Sequence, residues 1–344
     1  MTIVTLHLPE VKAAAEKRAV KCPYCGCAIL QRWGSVVKRL IDPQLKEGLI
    51  YRYRCTGCGK TFRAYPPGIT AADQSDRMRF LCALIWKIGA SLRQTTGLLG
   101  IWQATVCHMT VWRDIQWAAL RRPTKAKVRV AGLDGFYCAV KGQHKGLMVL
   151  LDMGDGQPVE IAEIVEEKAE EVLEWLLPLV AQYGVEVIVT DDLFSYPLVA
   201  HELELKRQAC RFHALRWMML TLHECEAILG EAWQDTLDEV RRIIRTLPEN
   251  GPHLLHLLWK RIVPPEGERT PEGIAVARLR LLVLKMEENW QQYALFRTQP
   301  GVPTTNNATE RAIGRWRTRS KTTRGFKSLA GLTAAFRICN GLSV

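Results

Sequence analysis

VIVTDDLFSYP, residues 187–197, decides the fold, because a run of β-branched apolar residues leads directly into two adjacent acids. Such a run is typical of a strand that is buried on both faces of a sheet covered by helices. Asp191 and Asp192 follow the run. Open α/β sheets bind their ligands at the carboxyl ends of strands, so we expect these acids to belong to a functional site.

Size and charge limit the class of protein. The chain has 344 residues, of which 48% are hydrophobic, enough for a sizeable core and two or three domains. Lys and Arg outnumber Asp and Glu by 47 to 35, which predicts a polyanionic partner, either nucleic acid or an acidic membrane surface. No apolar stretch approaches the roughly 18 residues of a membrane span, and the N-terminus lacks the pattern of a secretory signal. We therefore expect a cytoplasmic protein without a membrane partner, whose cysteines are mostly reduced.

Composition and pattern divide the chain into three predicted domains. A Cys-rich segment covers residues 1–66, a helical segment covers 67–122, and a longer domain that begins with strands covers 123–344. AYPPGIT (64–70) and RRPTKAK (121–127) are the expected joints. A helical pattern at about 214–300 predicts an insertion in the third domain, which either contacts DNA or a second subunit or serves as a scaffold.

The first segment contains two Cys-x-x-Cys pairs, Cys22 with Cys25 and Cys55 with Cys58. This spacing can place four thiolates around one structural zinc ion, which would stabilise a segment too small to fold on its own core. Cys27 could replace Cys25 in the site, but the shorter offset is the better match. The sequence therefore predicts a zinc ribbon.

The second segment has the pattern of a helix-turn-helix. SLRQTTGLLG (91–100) is followed by a tight turn and by QATVCHMTVWRDIQ (103–116), and the second helix of such a motif lies in the major groove of DNA. An ordinary three-helix core would show the same apolar pattern. The expected DNA contacts are Arg93, Gln94, Thr105, His108 and Arg113.

The third domain carries the predicted catalytic acids. VRVAGLDGFYCAV (128–140) is a strand with Asp134, two more strands and a helix follow, and then comes the strand that ends at Asp191. This order predicts an RNase H-like mixed α/β sheet in which Asp134 and Asp191 end neighbouring strands. Carboxylates brought together in this way suit Mg²⁺ or Mn²⁺, two ions in each active site.

A site with two metals needs a third acid. Glu310 falls in the first turns of a predicted helix that Asn306 and Asn307 can cap. A strongly basic run follows without an intervening acid, which predicts contacts to a phosphodiester backbone. A solvated basic surface is the alternative. The basic residues are Arg311, Arg315, Arg317, Arg319, Lys321, Arg324 and Lys327.

Asp134, Asp191, Glu310 and CRFHALR (210–216) together resemble the DDE transposases of bacterial insertion sequences. The pattern is similar to the Mutator-like and IS256-like supergroup, with a C-terminal motif partly similar to the IS66 type. The resemblance implies that Asp134, Asp191 and Glu310 bind two Mg²⁺ ions, with Asp192 in place of the small residue usual there. Because alternate strand residues face opposite ways, the choice between Asp191 and Asp192 stays open, and Asp191 is preferred. Asp192, Cys210, His213 and Asn307 are expected to support the site.

The predicted function is that of a DNA transposase, which binds terminal repeats, cleaves double-stranded DNA and joins it to a target. We expect a homodimer or larger assembly on DNA, associated with the nucleoid. A regulator derived from such an enzyme, which binds DNA without cutting it, is one alternative. An RNase H-like nuclease without strand transfer is another. Half of a second zinc site is an alternative for Cys210 and His213.

Overall fold

The computed structural model describes residues 18–121, 127–264, 270–323 and 325–341. Contacts divide the chain into two units, one of residues 1–123 with 315–344 and the other of residues 124–314. The sequence predicts a single domain from residue 123 onward, whereas the structure groups the last thirty residues with the first unit, because the final helix packs on helices of that unit. Most of the predicted joint, residues 122–126, lies outside the described residues.

The elements follow one another in two groups. The first group consists of β1 (Leu30–Arg39), β2 (Glu47–Cys55), β3 (Thr61–Ala64), α1 (Asp76–Lys87), α2 (Leu92–Ile101) and α3 (His108–Leu120). The second group begins with β4 (Val130–Val140), β5 (Gln143–Asp152), β6 (Pro158–Ala162), α4 (Ala169–Tyr183), β7 (Val187–Thr190), α5 (Ser195–Glu202) and β8 (Lys206–Ala209). It continues with α6 (Arg211–Leu229), α7 (Gln234–Thr246), α8 (Gly251–Arg261), α9 (Pro271–Glu288), α10 (Trp290–Thr298), α11 (Asn307–Ser320) and α12 (Leu329–Gly341). Although α12 comes last in the chain, it belongs to the first unit.

The first unit begins with a small antiparallel sheet in the order β1-β2-β3. β2 alternates between buried and exposed residues, and its buried side chains Tyr53 and Cys55 pack with Cys22 and Leu30. This core is very small, and Ile50 of β2 packs in a second small cluster with Leu40 and Ile69, so a metal at the paired cysteines would add to the stability of the sheet.

Three helices follow the small sheet. The side chain of Ser75 caps α1, and Ser91 and Gln94 form a reciprocal capping box at the start of α2. A short connection from Trp102 to Cys107, with Gln103 at a positive φ of 56°, leads into α3. α12 packs on α3 and α1, and an added Cβ at Gly331 would collide with the ring of Trp112.

The second unit is built on a five-stranded sheet in the order β6-β5-β4-β7-β8. β4, β5 and β6 pair antiparallel, whereas β7 and β8 continue parallel to β4, with α4 as the crossover to β7. Every residue of β7 is buried, as the apolar run predicts. This is the RNase H-like mixed sheet, and the fold class expected from the sequence is confirmed.

Helices cover both faces of this sheet. α4 and α5 pack on one face, where Leu133, Met148 and Leu150 meet Val172 and Leu176. On the other face Val187 and Val189 of β7 meet Val302 and residues of α10. α6 to α10 form the helical insertion, which has a large apolar core of its own. None of the helices in the described ranges is both long and apolar enough to cross a membrane.

Candidate functional site

Strand pairing brings Asp134 and Asp191 together in the second unit. β4 and β7 are parallel neighbours, and Gly132 lies opposite Val189. Continuing this register by two residues places Asp134 level with Asp191, which directly follows β7. The two acids predicted from separate strands therefore lie side by side, although Asp134 lies within β4, which continues to Val140, and does not end its strand as expected.

A third acid, Glu166, completes this group. It lies in the turn between β6 and α4, and its carboxylate accepts a hydrogen bond from the Tyr196 hydroxyl at 3.0 Å. Carboxylate oxygens of Asp134, Glu166 and Asp191 all lie within 4.8 Å of one another. We call these three residues the acidic cluster.

Glycines allow this close approach. An added Cβ at Gly135 would lie 2.5 Å from a carboxylate oxygen of Glu166, and one at Gly132 would overlap the hydroxyl of Thr309 in α11. These glycines are the first and last residues of the segment GLDG, which contains Asp134. Because they lack side chains, α11 and the turn that carries Glu166 can approach the strand.

The carboxylates of the acidic cluster repel one another. Burial, followed by the charges of Asp191, Glu166 and Glu310, raises the pKa of Asp134 from its ordinary value of 3.8 to about 7, although the Gly135 N–H donates to the carboxylate. Burial also raises the pKa of Glu166. Three carboxylates that oppose one another in this way fit a hard divalent cation such as Mg²⁺ or Mn²⁺, which would replace the repulsion with attraction.

The two adjacent acids face different partners. Asp191 belongs to the acidic cluster, whereas the carboxylate of Asp192 lies 3.9 Å from the guanidinium of Arg207. Arg207 is buried and donates to the Asp191 carbonyl at 2.6 Å and to the Thr190 hydroxyl at 2.8 Å. Arg207 thereby fixes the backbone at the end of β7, and of the two acids it is Asp191 that points to the acidic cluster.

Glu310 does not join the acidic cluster as a ligand. It lies in the first turn of α11, and its Oε1 is 3.7 Å from Nδ1 of His213. Ligand atoms of Cys210, His213 and Glu310 form a separate group within 4.8 Å of one another. The predicted set of Asp134, Asp191 and Glu310 is therefore not a single ligand group in the described residues, although the charge of Glu310 helps to raise the pKa of Asp134.

The start of α11 is held by a buried asparagine. Asn306 donates from its side chain to the Leu133 carbonyl at 3.0 Å and accepts from the Thr309 hydroxyl at 2.7 Å. Its backbone N–H donates to Cys210 Sγ at 3.3 Å. Asn307, which the sequence predicts to support the site, is exposed, and the buried Asn306 connects the helix to β4 instead.

The four predicted zinc ligands come together in the first unit. Sγ atoms of Cys22 and Cys58 are 3.7 Å apart, those of Cys25 and Cys55 are 3.5 Å apart, and all four lie within 4.8 Å of one another. Cys27 is not in this group.

The two halves of this site repeat the same backbone turn. Gly26 donates to the Cys22 carbonyl and Gly59 donates to the Cys55 carbonyl, each at 3.0 Å. Both glycines have a positive φ. The four cysteines could therefore hold one zinc ion, and paired turns of this kind suit a structural site.

The family described as Transposase IS66 family matches residues 152–334, more than half of the chain. This chain belongs to the IS66 transposase family. No curated protein sequence matches it.

The match to the IS66 transposase family includes Glu166, Asp191, Cys210, His213 and Glu310, whereas Asp134 and the four cysteines precede it. Membership supports the predicted transposase, and the broader placement in the Mutator and IS256 supergroup stays a prediction.

A solved structure is also similar to this transposase. It is described as a cryoEM structure of the simian T-cell lymphotropic virus intasome in complex with PP2A regulatory subunit B56 gamma. The sequence identity is 12% and the TM-score is 0.22, with 58% of this chain and 66% of that chain covered.

The predicted DNA contacts of the transposase have different surroundings. Arg93, Gln94, Thr105, His108 and Arg113 are all exposed, although Gln94 also accepts the Ser91 N–H in the capping box. Arg311, Arg315, Arg317, Lys321 and Lys327 are exposed too, and Arg324 lies outside the described residues.

Arg319 differs from the other basic residues of this run. It is only 6% exposed, and its guanidinium donates to the carbonyls of Trp86 and Ala90, both at 2.8 Å, while it stacks over the Trp86 ring. The structure therefore assigns Arg319 to the packing of the first unit, and the expectation that it contacts DNA is corrected.

Asp134→Asn is expected to stabilise the protein at pH 7.5 when no divalent cation is added. The folded protein binds a proton at Asp134 more tightly than the unfolded chain does, because the pKa rises from 3.8 to about 7. The contribution of Asp134 to the free energy of unfolding therefore falls as pH rises between these values. The melting temperature of the variant should exceed that of the unchanged protein by about 2–4 °C or more at pH 7.5, and the two should converge near pH 4.

Addition of Mg²⁺ should raise the melting temperature of the unchanged protein and leave that of Asp134→Asn nearly constant. Glu174→Gln, which removes an exposed acid on α4, is the matched control and should behave like the unchanged protein. A variant that is less stable at pH 7.5, or that gains as much from Mg²⁺ as the unchanged protein, would contradict this account of the acidic cluster.

Proposed function

We propose that this chain is the transposase of an insertion sequence, which binds the terminal repeats of its element, cleaves the DNA and joins it to a target. The observation that carries the proposal is the meeting of Asp134, Glu166 and Asp191 within 4.8 Å, in a chain of the IS66 transposase family. Carboxylates from separate strands are the ligands that metal-dependent phosphoryl transfer requires.

Asp134 and Asp191 are proposed to hold two Mg²⁺ or Mn²⁺ ions, with Glu310 as the third catalytic acid. When bound, such ions polarise the phosphodiester and lower the pKa of a bound water or hydroxyl. Glu166 is proposed as a further ligand, since its carboxylate already lies beside Asp134 and Asp191.

The surrounding residues keep these carboxylates in place. The Tyr196 hydroxyl holds Glu166, Arg207 holds the backbone of Asp191, and Asn306 holds the start of the helix that carries Glu310. Because these partners are buried or nearly so, the acids stay in position before a cation or a phosphate arrives.

Recognition of DNA is proposed to involve the first unit. The four cysteines would hold one structural zinc, and α2 with α3 would act as the helix-turn-helix through the exposed residues at positions 93, 94, 105, 108 and 113. The formal charge of +12 supports a partner with a phosphate backbone. Cleavage at two ends calls for two active sites, so a homodimer or larger assembly on DNA is part of the proposal.

Asp191→Asn should abolish both cleavage and joining of labelled duplexes that carry the ends of the element, in Mg²⁺ or in Mn²⁺. Loss of a residue that orients a metal ligand lowers metal affinity or activity about 10–100-fold. Loss of the metal ligand itself should therefore lower the rate of cleavage at least about 100-fold. Asp192→Asn is the matched control, because that neighbouring acid faces Arg207, and its rate should stay within about 10-fold of the unchanged protein.

The same assay compares the two glutamates. Glu310→Gln should abolish cleavage, and Glu166→Gln should lower it most at low Mg²⁺. Equal rates for Asp191→Asn and the unchanged protein would overturn the proposed site. Binding specific to the ends without cleavage by the unchanged protein would favour a DNA-binding regulator, and cleavage without joined products would favour a nuclease.

Arg317→Ala and Arg319→Ala should differ although the two positions are close in sequence. Arg317 is exposed, so its loss should reduce the slope of log K against log salt by about 1 while the melting temperature stays unchanged. Loss of Arg319 removes its hydrogen bonds to the Trp86 and Ala90 carbonyls and its stacking on the Trp86 ring, which should destabilise the first unit by about 1–3 kcal/mol. Salt titrations of DNA binding and thermal unfolding check both variants, and an unchanged salt slope for Arg317→Ala would exclude a phosphate contact there.

A further inference from the structure

Cys210, His213 and Glu310 form a second group of ligand-type side chains in the second unit. Cys210 directly follows β8, His213 lies in the first turn of α6, and Glu310 lies in the first turn of α11. Backbone hydrogen bonds fix the position of the cysteine, because its N–H donates to the Thr190 carbonyl at 2.7 Å and its carbonyl accepts the Ala214 N–H at 3.0 Å. The three side chains therefore converge from three separate points of the fold.

Two polar atoms of this group lack hydrogen-bond partners. Nδ1 of His213 and Oε1 of Glu310 are both buried from solvent, and neither makes a hydrogen bond within the described part of the chain. They face each other at 3.7 Å, which is too long for a hydrogen bond. Burial of a polar atom without a partner is unfavourable, so a ligand that both atoms could bind would remove an unfavourable contact.

The third member supplies sulfur. Cys210 is completely buried, and its Sγ accepts the Asn306 N–H at 3.3 Å. Ligand atoms around a tetrahedral zinc ion lie roughly 3.3–3.7 Å apart. The three atoms here lie within 4.8 Å of one another, so a small inward shift would give that geometry.

The chemistry of this group differs from that of the acidic cluster. The acidic cluster offers oxygen only and suits hard cations, whereas thiolate and imidazole select zinc and similar transition metals. Three protein ligands leave a fourth position for water. A carboxylate has two oxygens, so Glu310 can ligate zinc through one and keep the other for a second partner.

We propose that Cys210, His213 and Glu310 bind a transition metal, zinc by preference, separate from the ion of the four N-terminal cysteines. The ion joins the start of α6 to the start of α11 and fixes the carboxylate whose charge acts on Asp134. The site depends only on these three side chains, so it stands or falls independently of DNA cleavage.

Metal analysis of the full chain tests the proposal. After equilibration with zinc and removal of the excess, the unchanged protein should hold about two zinc ions per chain. Cys210→Ser and His213→Ala should each hold about one ion fewer. His223→Ala, on the same helix, and Cys225→Ser, another buried thiol, are matched controls that should keep both ions.

Binding of Co²⁺ distinguishes the two metal sites. In Cys55→Ser, which lacks a ligand of the N-terminal site, Co²⁺ should still give a sulfur-to-cobalt charge-transfer band, and a further His213→Ala change should weaken or remove it. Circular dichroism checks that each variant is folded. If the unchanged protein holds one zinc ion and Cys55→Ser holds none, or if His213→Ala keeps both ions, the proposal is overturned.

Discussion

The repulsion among carboxylates at the end of β7 is the constraint on which the site depends. Parallel pairing of β4 with β7 forces Asp134 and Asp191 to the same level, and the turn before α4 adds Glu166. Burial of Asp134, together with the charges of Asp191, Glu166 and Glu310, raises the pKa of its carboxyl to about 7. An arrangement of this kind suits a hard divalent cation, which would replace the repulsion with attraction.

Precise packing around the strand makes this arrangement possible. Gly132 and Gly135 leave room for α11 and for Glu166 on either side of Asp134, and Asn306 ties the helix to the strand. Arg207 fixes the backbone at the end of β7, where Asp191 follows. The helical insertion separates α11 from the sheet by almost a hundred residues of sequence, yet its folded core returns the chain to the site.

The sequence predicted those parts of the structure that depend on local pattern. The buried strand β7 follows from its run of apolar residues, and the pairing of Asp134 with Asp191 follows from the predicted order of the strands. The paired cysteine turns follow from the spacing of the cysteines. Glu166 was missed because it stands in an acid-rich turn before a helix, EEKAEE (166–171), where acids are ordinary helix-start residues, and only tertiary contact with Tyr196 distinguishes it. Arg319 resembles its exposed neighbours in sequence, and its burial depends on α1. The packing of α12 on α3 likewise joins segments too distant for any pattern to connect.

We propose that metal ions held by the acidic cluster act on a DNA phosphate. Replacement of each non-bridging oxygen of the scissile phosphate by sulfur, followed by cleavage assays in Mg²⁺ and in Mn²⁺, tests it most directly, because the softer Mn²⁺ accepts sulfur better than Mg²⁺ does. If these metal ions bind the phosphate, at least one sulfur isomer should block cleavage in Mg²⁺, and Mn²⁺ should restore it. Equal cleavage of both isomers in the two metals, at the rate of the normal duplex, would contradict a direct contact between metal and phosphate.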